Sequence, residues 1–131
     1  MPAMDAEILT IGAELVSGQT VNTNAAYLAR RLSELGIRCS RQVSVPDERA
    51  MIVRSIRESL ERTHLLVISG GLGPTFDDVT MEALAEAVCR PLRRDAAVAR
   101  QVRAFCRRHQ RAVTAPALRQ ADVPAGTIAA G

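Results

Sequence analysis

The five-residue run Leu65-Leu66-Val67-Ile68-Ser69 ends directly in Gly70-Gly71-Leu72-Gly73-Pro74-Thr75-Phe76-Asp77-Asp78-Val79-Thr80, and a helical pattern follows. A strand so short and continuously apolar is read as buried on both faces, which is the habit of parallel sheets covered by helices on either side. The rest of the chain supplies the matching units. Ile8-Leu9-Thr10-Ile11 reads as another strand, and Asn22 to Leu35 places Ala25, Leu28, Ala29, Leu32 and Leu35 on one helical face, with Gly36 as its stop. Ile37 to Val45 is a weaker strand, and Asp47 opens a helix with Ile52, Val53, Ile56 and Leu60 inward. Asp78 or Thr80 begins a third helix that ends near Arg90-Pro91, and Asp95 to about His109 forms a fourth. The last twenty residues give only a turn at Pro124-Ala125-Gly126. The expected fold is therefore α/β, with a mostly parallel sheet between helices on both faces, in one domain over residues 1–131.

Two loops carry the polar chemistry. After the 65–69 strand, glycines let the backbone pass close to a ligand with its N–H groups inward, as phosphate cradles do. Asp77 and Asp78 would repel phosphate unaided, so beside such a cradle they point to a divalent cation, Mg²⁺, Mn²⁺ or Co²⁺; otherwise they cap the following helix. The second loop, Gly12 to Asn24, leaves the first strand. Loops at the carboxyl ends of neighbouring parallel strands converge on one crevice, so both sets of residues are expected at one site. Ser17, Asn22 and Asn24 offer neutral hydrogen bonds to a sugar, base or pterin edge, although Asn22 and Asn24 also suit a helix cap. Glu14 is either a solvated loop acid or a ligand to metal or water.

Composition narrows the classes. All 17 basic residues are Arg, and nine of them lie between residues 90 and 119 against Asp95 alone. Without stacking aromatics or a recognised nucleic-acid motif, this stripe is read as a solvated helix face rather than a nucleic-acid site. The absence of Lys excludes a lysine phosphate grip and Schiff-base chemistry. Three unpatterned cysteines suit reduced thiols, and the sequence has no long apolar run or signal-like start, so a cytoplasmic protein is expected with no membrane contact.

The two motifs in order, Gly12-x-Glu14-Leu15-x-Ser17-Gly18-Gln19-x-x-Asn22-Thr23-Asn24 and Gly70-Gly71-Leu72-Gly73-Pro74-Thr75-x-Asp77-Asp78-x-Thr80, resemble the N-terminal domain of the CinA competence/damage-inducible proteins. That domain is part of the wider molybdopterin-binding superfamily with MogA, MoaB and the gephyrin E domain. The molybdenum-cofactor branch has Gly-Gly-Thr-Gly and Arg-Asp-x-Thr in the second loop, so Asp78 and Thr80 match it while Leu72 and Asp77 depart; the CinA form is kept throughout. The resemblance implies a molybdopterin-binding-like fold, a nucleotide or pterin ligand and a homo-oligomer. For activity it implies metal-dependent pyrophosphatase action on ADP-ribose or a related dinucleotide. Asp78, Asp77 and Glu14 would be the catalytic acids, with the metal on Asp78 and Asp77. Gly12, Ser17, Gly18, Asn22, Asn24, Gly70, Gly71, Gly73, Pro74, Thr75 and Thr80 would line the ligand. The alternatives are a binding module without turnover and an adenylyltransferase-like role in molybdenum-cofactor synthesis. Relatives continue into a further Gly-Pro loop and strand, so a C-terminally truncated domain lacking both is expected.

Overall fold

The computed structural model describes residues 4–130; Met1 to Ala3 and Gly131 of the expected 1–131 domain lie outside the described residues. In chain order the elements are β1 (Asp5–Ile11), α1 (Ala13–Val16), α2 (Thr23–Glu34), β2 (Arg38–Val45), α3 (Arg49–Arg62) and β3 (Leu65–Ser69). They continue with α4 (Thr80–Ala87), β4 (Leu92–Arg94), α5 (Ala96–Arg108), α6 (Ala115–Arg119) and β5 (Asp122–Pro124). Strands β2, β1 and β3 form a parallel sheet in that order, with a register shift between Ala6 and Glu7.

Side-chain alternation along β1 builds two cores. Ala6 and Ile8 face α2, against Ala25, Leu28, Ala29 and Leu32. Leu9 and Ile11 face the other way, onto Ile52, Val53 and Ile56 of α3 and Ala83 of α4. The result is three layers, helix, sheet and helix, as the strand–helix alternation predicts. The buried strand at the centre is β1, whose residues from Ala6 to Ile11 are all buried, whereas every residue of β3 is only half-buried. The reason is position: β3 pairs on one side only among the described residues. The weaker pattern of β2 has the same cause, since an edge strand tolerates Arg41 and Gln42 on solvent.

Glu7 is the one acid inside this core, 1% exposed. Its carboxylate accepts from the Ser59 hydroxyl at 3.1 Å and from Arg62 at 2.8 and 2.9 Å, so the buried charge is both paired and hydrogen-bonded.

Three local expectations change. Asp47 does not cap α3, whose N-cap is Glu48; its carboxylate instead accepts from Ala13 N–H at 3.3 Å, joining the loops after β2 and β1. The final segment is more than a turn. Thr114 caps α6 through Ala117 N–H, and β5 pairs antiparallel with β4, where Arg94 grips Asp122 with two bonds of 2.7 and 3.2 Å. This ribbon departs from parallel pairing and stands apart from the main sheet. No helix among the described residues is long and apolar enough to cross a membrane.

Candidate functional site

The connection after β1 runs to α2 on one face of the sheet, while the connection after β3 runs to α4 on the other. The carboxyl ends of these adjacent strands therefore part company, which opens the crevice where open α/β sheets bind ligands. Gly70 makes the crevice possible. It has φ +97°, and a Cβ there would collide with the carbonyl oxygen of Ile11 at the end of β1. Gly71 next to it leaves no room for a Cβ beside the Thr80 hydroxyl.

One pocket of the crevice, about 200 Å³, is lined by Glu14, Thr20, Asn24 and Gly70 among others. Its floor is a closed hydrogen-bond network. Asn22 donates from its amide nitrogen to Thr10 Oγ1 at 2.7 Å and Ser44 Oγ at 3.1 Å, and its carbonyl oxygen caps α2 by accepting from Ala25 N–H at 3.1 Å. The Thr10 and Ser44 hydroxyls lie 2.7 Å apart. Both amide N–H groups of Asn22 and one acceptor site of its oxygen are thus used within the fold, so it orients the loop from the pocket floor. Glu14, Ser17, Gly18 and Asn24 are exposed. The Ser17 hydroxyl donates to the Glu14 carbonyl at 3.3 Å, and Gly12 donates its N–H to Val45 at 2.9 Å, extending the pairing with β2.

Beyond Gly71 lies a second, separate cleft of about 20 Å³, bordered by Gly73, Asp78 and Arg119. Asp78 Oδ2 accepts from Thr75 N–H at 2.9 Å and Thr75 Oγ1 at 2.5 Å. The Thr75 hydroxyl is the main cause holding the Asp78 carboxyl below its ordinary range; the Thr75 and Gly73 N–H groups and the Arg119 guanidinium add to it, and burial opposes them. The donors expected to cradle an external anion therefore close around the chain's own carboxylate. Thr80 is likewise occupied: its hydroxyl donates to Gly70 carbonyl at 2.7 Å and its N–H to Gly71 carbonyl at 3.2 Å, tying α4 to the turn. Pro74 borders the neighbouring groove under α5, and Asp77 is exposed and does not border the cleft.

Among the described residues no three His, Cys, Asp or Glu side chains come together in an arrangement able to hold a metal ion. An all-protein metal cage does not fit this site. A cation shared with ligand phosphates would have Asp78 as its fixed protein ligand, since Asp77 does not border the cleft.

Sequence reasoning missed Thr10, Ser44, Asp47 and Arg119. Arg119, on α6, donates to the Thr75 carbonyl at 2.7 Å and the Pro74 carbonyl at 3.4 Å across forty-four and forty-five residues of sequence. The only signal for it was its place just before the Gln120-Ala121-Asp122-Val123-Pro124 segment. The arginines of α5, Arg100, Arg103, Arg107 and Arg108, are exposed on a helix that does not border the cleft.

The family described as "Probable molybdopterin binding domain" matches residues 7–130. The crystal structure of CinA from Thermoplasma acidophilum, a protein titled as of unknown function, superposes with TM-score 0.84 at 36% identity, covering 94% of this chain and 72% of that one. The chain belongs to this domain family, in its CinA branch. CinA-like proteins of Salinibacter ruber and Myxococcus xanthus are 47% and 42% identical over 119 and 124 residues, which is 89% and 95% of this chain. The chain spans about 30% of the length of those curated relatives. The MoaB molybdopterin biosynthesis enzyme of Thermus thermophilus is a more distant neighbour, with TM-score 0.57 and 28% identity over 77% of this chain and 63% of that one.

Proposed function

We propose that this CinA-type domain binds a phosphate-bearing nucleotide or pterin in the crevice between β1 and β3 and, with Mg²⁺, Mn²⁺ or Co²⁺, hydrolyses the pyrophosphate of ADP-ribose or a related dinucleotide. The observation that carries the reading is the unbroken CinA form of the second motif, folded so that its glycine turn lies where the strands diverge and Asp78 is fixed at the cleft wall. Thr75 favours the ionised form of Asp78 at the edge of the cleft. Asp77 and Glu14, both exposed, are the remaining acids within the two loops. Asn24 borders the sugar or base side, on a loop that Asn22 fixes, whereas Ser17 does not line the pocket. A divalent ion bound at Asp78 would neutralise phosphate oxygens and lower the pKa of a bound water. The same reading takes the protein as cytoplasmic and self-associating, since β2 and β3 both leave a sheet edge unpaired among the described residues.

The test is AMP release from ADP-ribose with each cation and with EDTA. Turnover undiminished in EDTA removes the metal role. A second reading, binding without turnover, is favoured by the engagement of Asp78 within its own loop and by the lack, among the described residues, of three grouped metal-ligating side chains. Tight nucleotide binding with no AMP release under any cation decides for it.

A further inference from the structure

We propose that Arg119 is the phosphate-contacting cation of the crevice, held in place by the same glycine loop that the ligand approaches. The inference rests on the reading of the crevice as a phosphate site, and goes beyond it by naming the group that meets the anion. Four observations lead there. The chain contains no lysine. The Gly73 and Thr75 N–H groups, which would otherwise receive a phosphate, surround the Asp78 carboxylate. Asp122, which also borders the cleft, is matched by Arg94, leaving Glu82 and the Asp78 carboxylate, on which the Arg119 guanidinium acts. Arg119 is the one basic residue on that wall.

Its geometry suits the task. A single terminal nitrogen, Nη2, reaches both the Thr75 and Pro74 carbonyls, at 2.7 and 3.4 Å, which fixes the plane of the guanidinium. The other terminal nitrogen and Nε make no bond to the rest of the chain among the described residues, so the fork keeps three N–H donors for an anion. Arginine can hold the loop and an oxyanion at once because its donors are arranged in a rigid plane; lysine offers one compact charge. Arg119 is the charge that offsets Asp78 and Glu82 on this wall, and without it the lining would carry only negative charge.

Calorimetric titration of pyrophosphate, in EDTA and low salt, into the wild type, Arg119→Lys and Arg119→Gln tests this, with thermal melts of all three. Losing a charge-assisted bidentate contact is expected to weaken pyrophosphate binding by about tenfold to a hundredfold in Arg119→Gln. Arg119→Lys should fall between the two, because an ammonium cannot span the loop carbonyls and the ligand together. A Gln variant that melts like the wild type and binds pyrophosphate within twofold of it overturns the proposal. If the Gln variant is too unstable to titrate, Arg119→Lys decides, and unchanged affinity there overturns it equally. A wild type that ignores pyrophosphate in EDTA overturns this inference, and one that ignores it also with Mg²⁺ present overturns the phosphate-site reading as well. Binding that depends on Arg119, with ADP-ribose uncleaved under every cation, upholds this inference and removes only the hydrolytic reading.

Discussion

Gly70→Ala should be the most damaging small substitution in the crevice, and its size follows from two separate effects. At φ +97° an alanine is held in a region that disfavours L side chains, at about 1–2 kcal/mol. The new methyl also meets the Ile11 backbone, colliding with its oxygen and lying 3.1 Å from its carbonyl carbon and 3.2 Å from its nitrogen. Those atoms end β1, the strand paired on both sides, so the strain cannot be relieved by a rotating side chain, and overpacking of this kind adds roughly 1–3 kcal/mol. The expected loss is about 2–5 kcal/mol, a large part of the roughly 5–15 kcal/mol that holds a domain of this kind folded. At about 3 °C per kcal/mol the melting temperature should fall by roughly 6–15 °C. Gly36→Ala is the control: Gly36 follows α2 at φ +76° with nothing within 4 Å of a Cβ, so it carries the conformational term alone. Paired urea and thermal melts of both variants measure the difference. Equal destabilisation would refute the close approach of β1 and β3 as the reason glycine stands at position 70.

Asn22→Ala removes the α2 cap and the amide donor to the buried Thr10 hydroxyl, leaving it Ser44 and a 3.5 Å contact to the Val43 carbonyl, so it should destabilise by about 2–3 kcal/mol in urea melts. Asp78→Asn should reduce cation-dependent AMP release by at least about a hundredfold, while Arg103→Glu with Arg107→Glu on exposed α5 leaves it nearly unchanged; the reverse result would move the site to that helix. Because the folded Asp78 carboxyl titrates below its unfolded value, its contribution to stability is present above the ordinary aspartate pKa and disappears as pH falls through the folded one. Thr75→Val removes the main cause, so carbon-detected NMR of Asp78 in metal-free buffer should show its pKa rise toward the ordinary value, and an unchanged titration would deny Thr75 that role.

What could be read from the sequence divides along the distance over which each feature is determined. Helices α2, α3 and α5 announce themselves through apolar spacing within a few turns, and β1 and β3 through short apolar runs between turn residues, with β2 weaker because Arg41 and Gln42 interrupt it, so the layered α/β arrangement follows before any contact is known. Strands β4 and β5 are three residues each, too short for a pattern, and each is a strand only because the other lies beside it across 28 residues from Arg94 to Asp122. The same distinction runs through the site. Glycine spacing and the Asp77-Asp78 pair locate the loop, because the backbone at Gly70 and Gly71 demands those residues locally. Sequence leaves open whether the loop's donors face outward, and that turns on Thr75, three residues from Asp78, whose hydroxyl and N–H draw the carboxylate inward. Once those donors are occupied, a positive group for an anion must come from another part of the chain. That requirement connects the C-terminal helix to the crevice: α6 and the β4–β5 ribbon, unremarkable as sequence, are what hold Arg119 against Thr75 and give an otherwise acidic wall its positive charge.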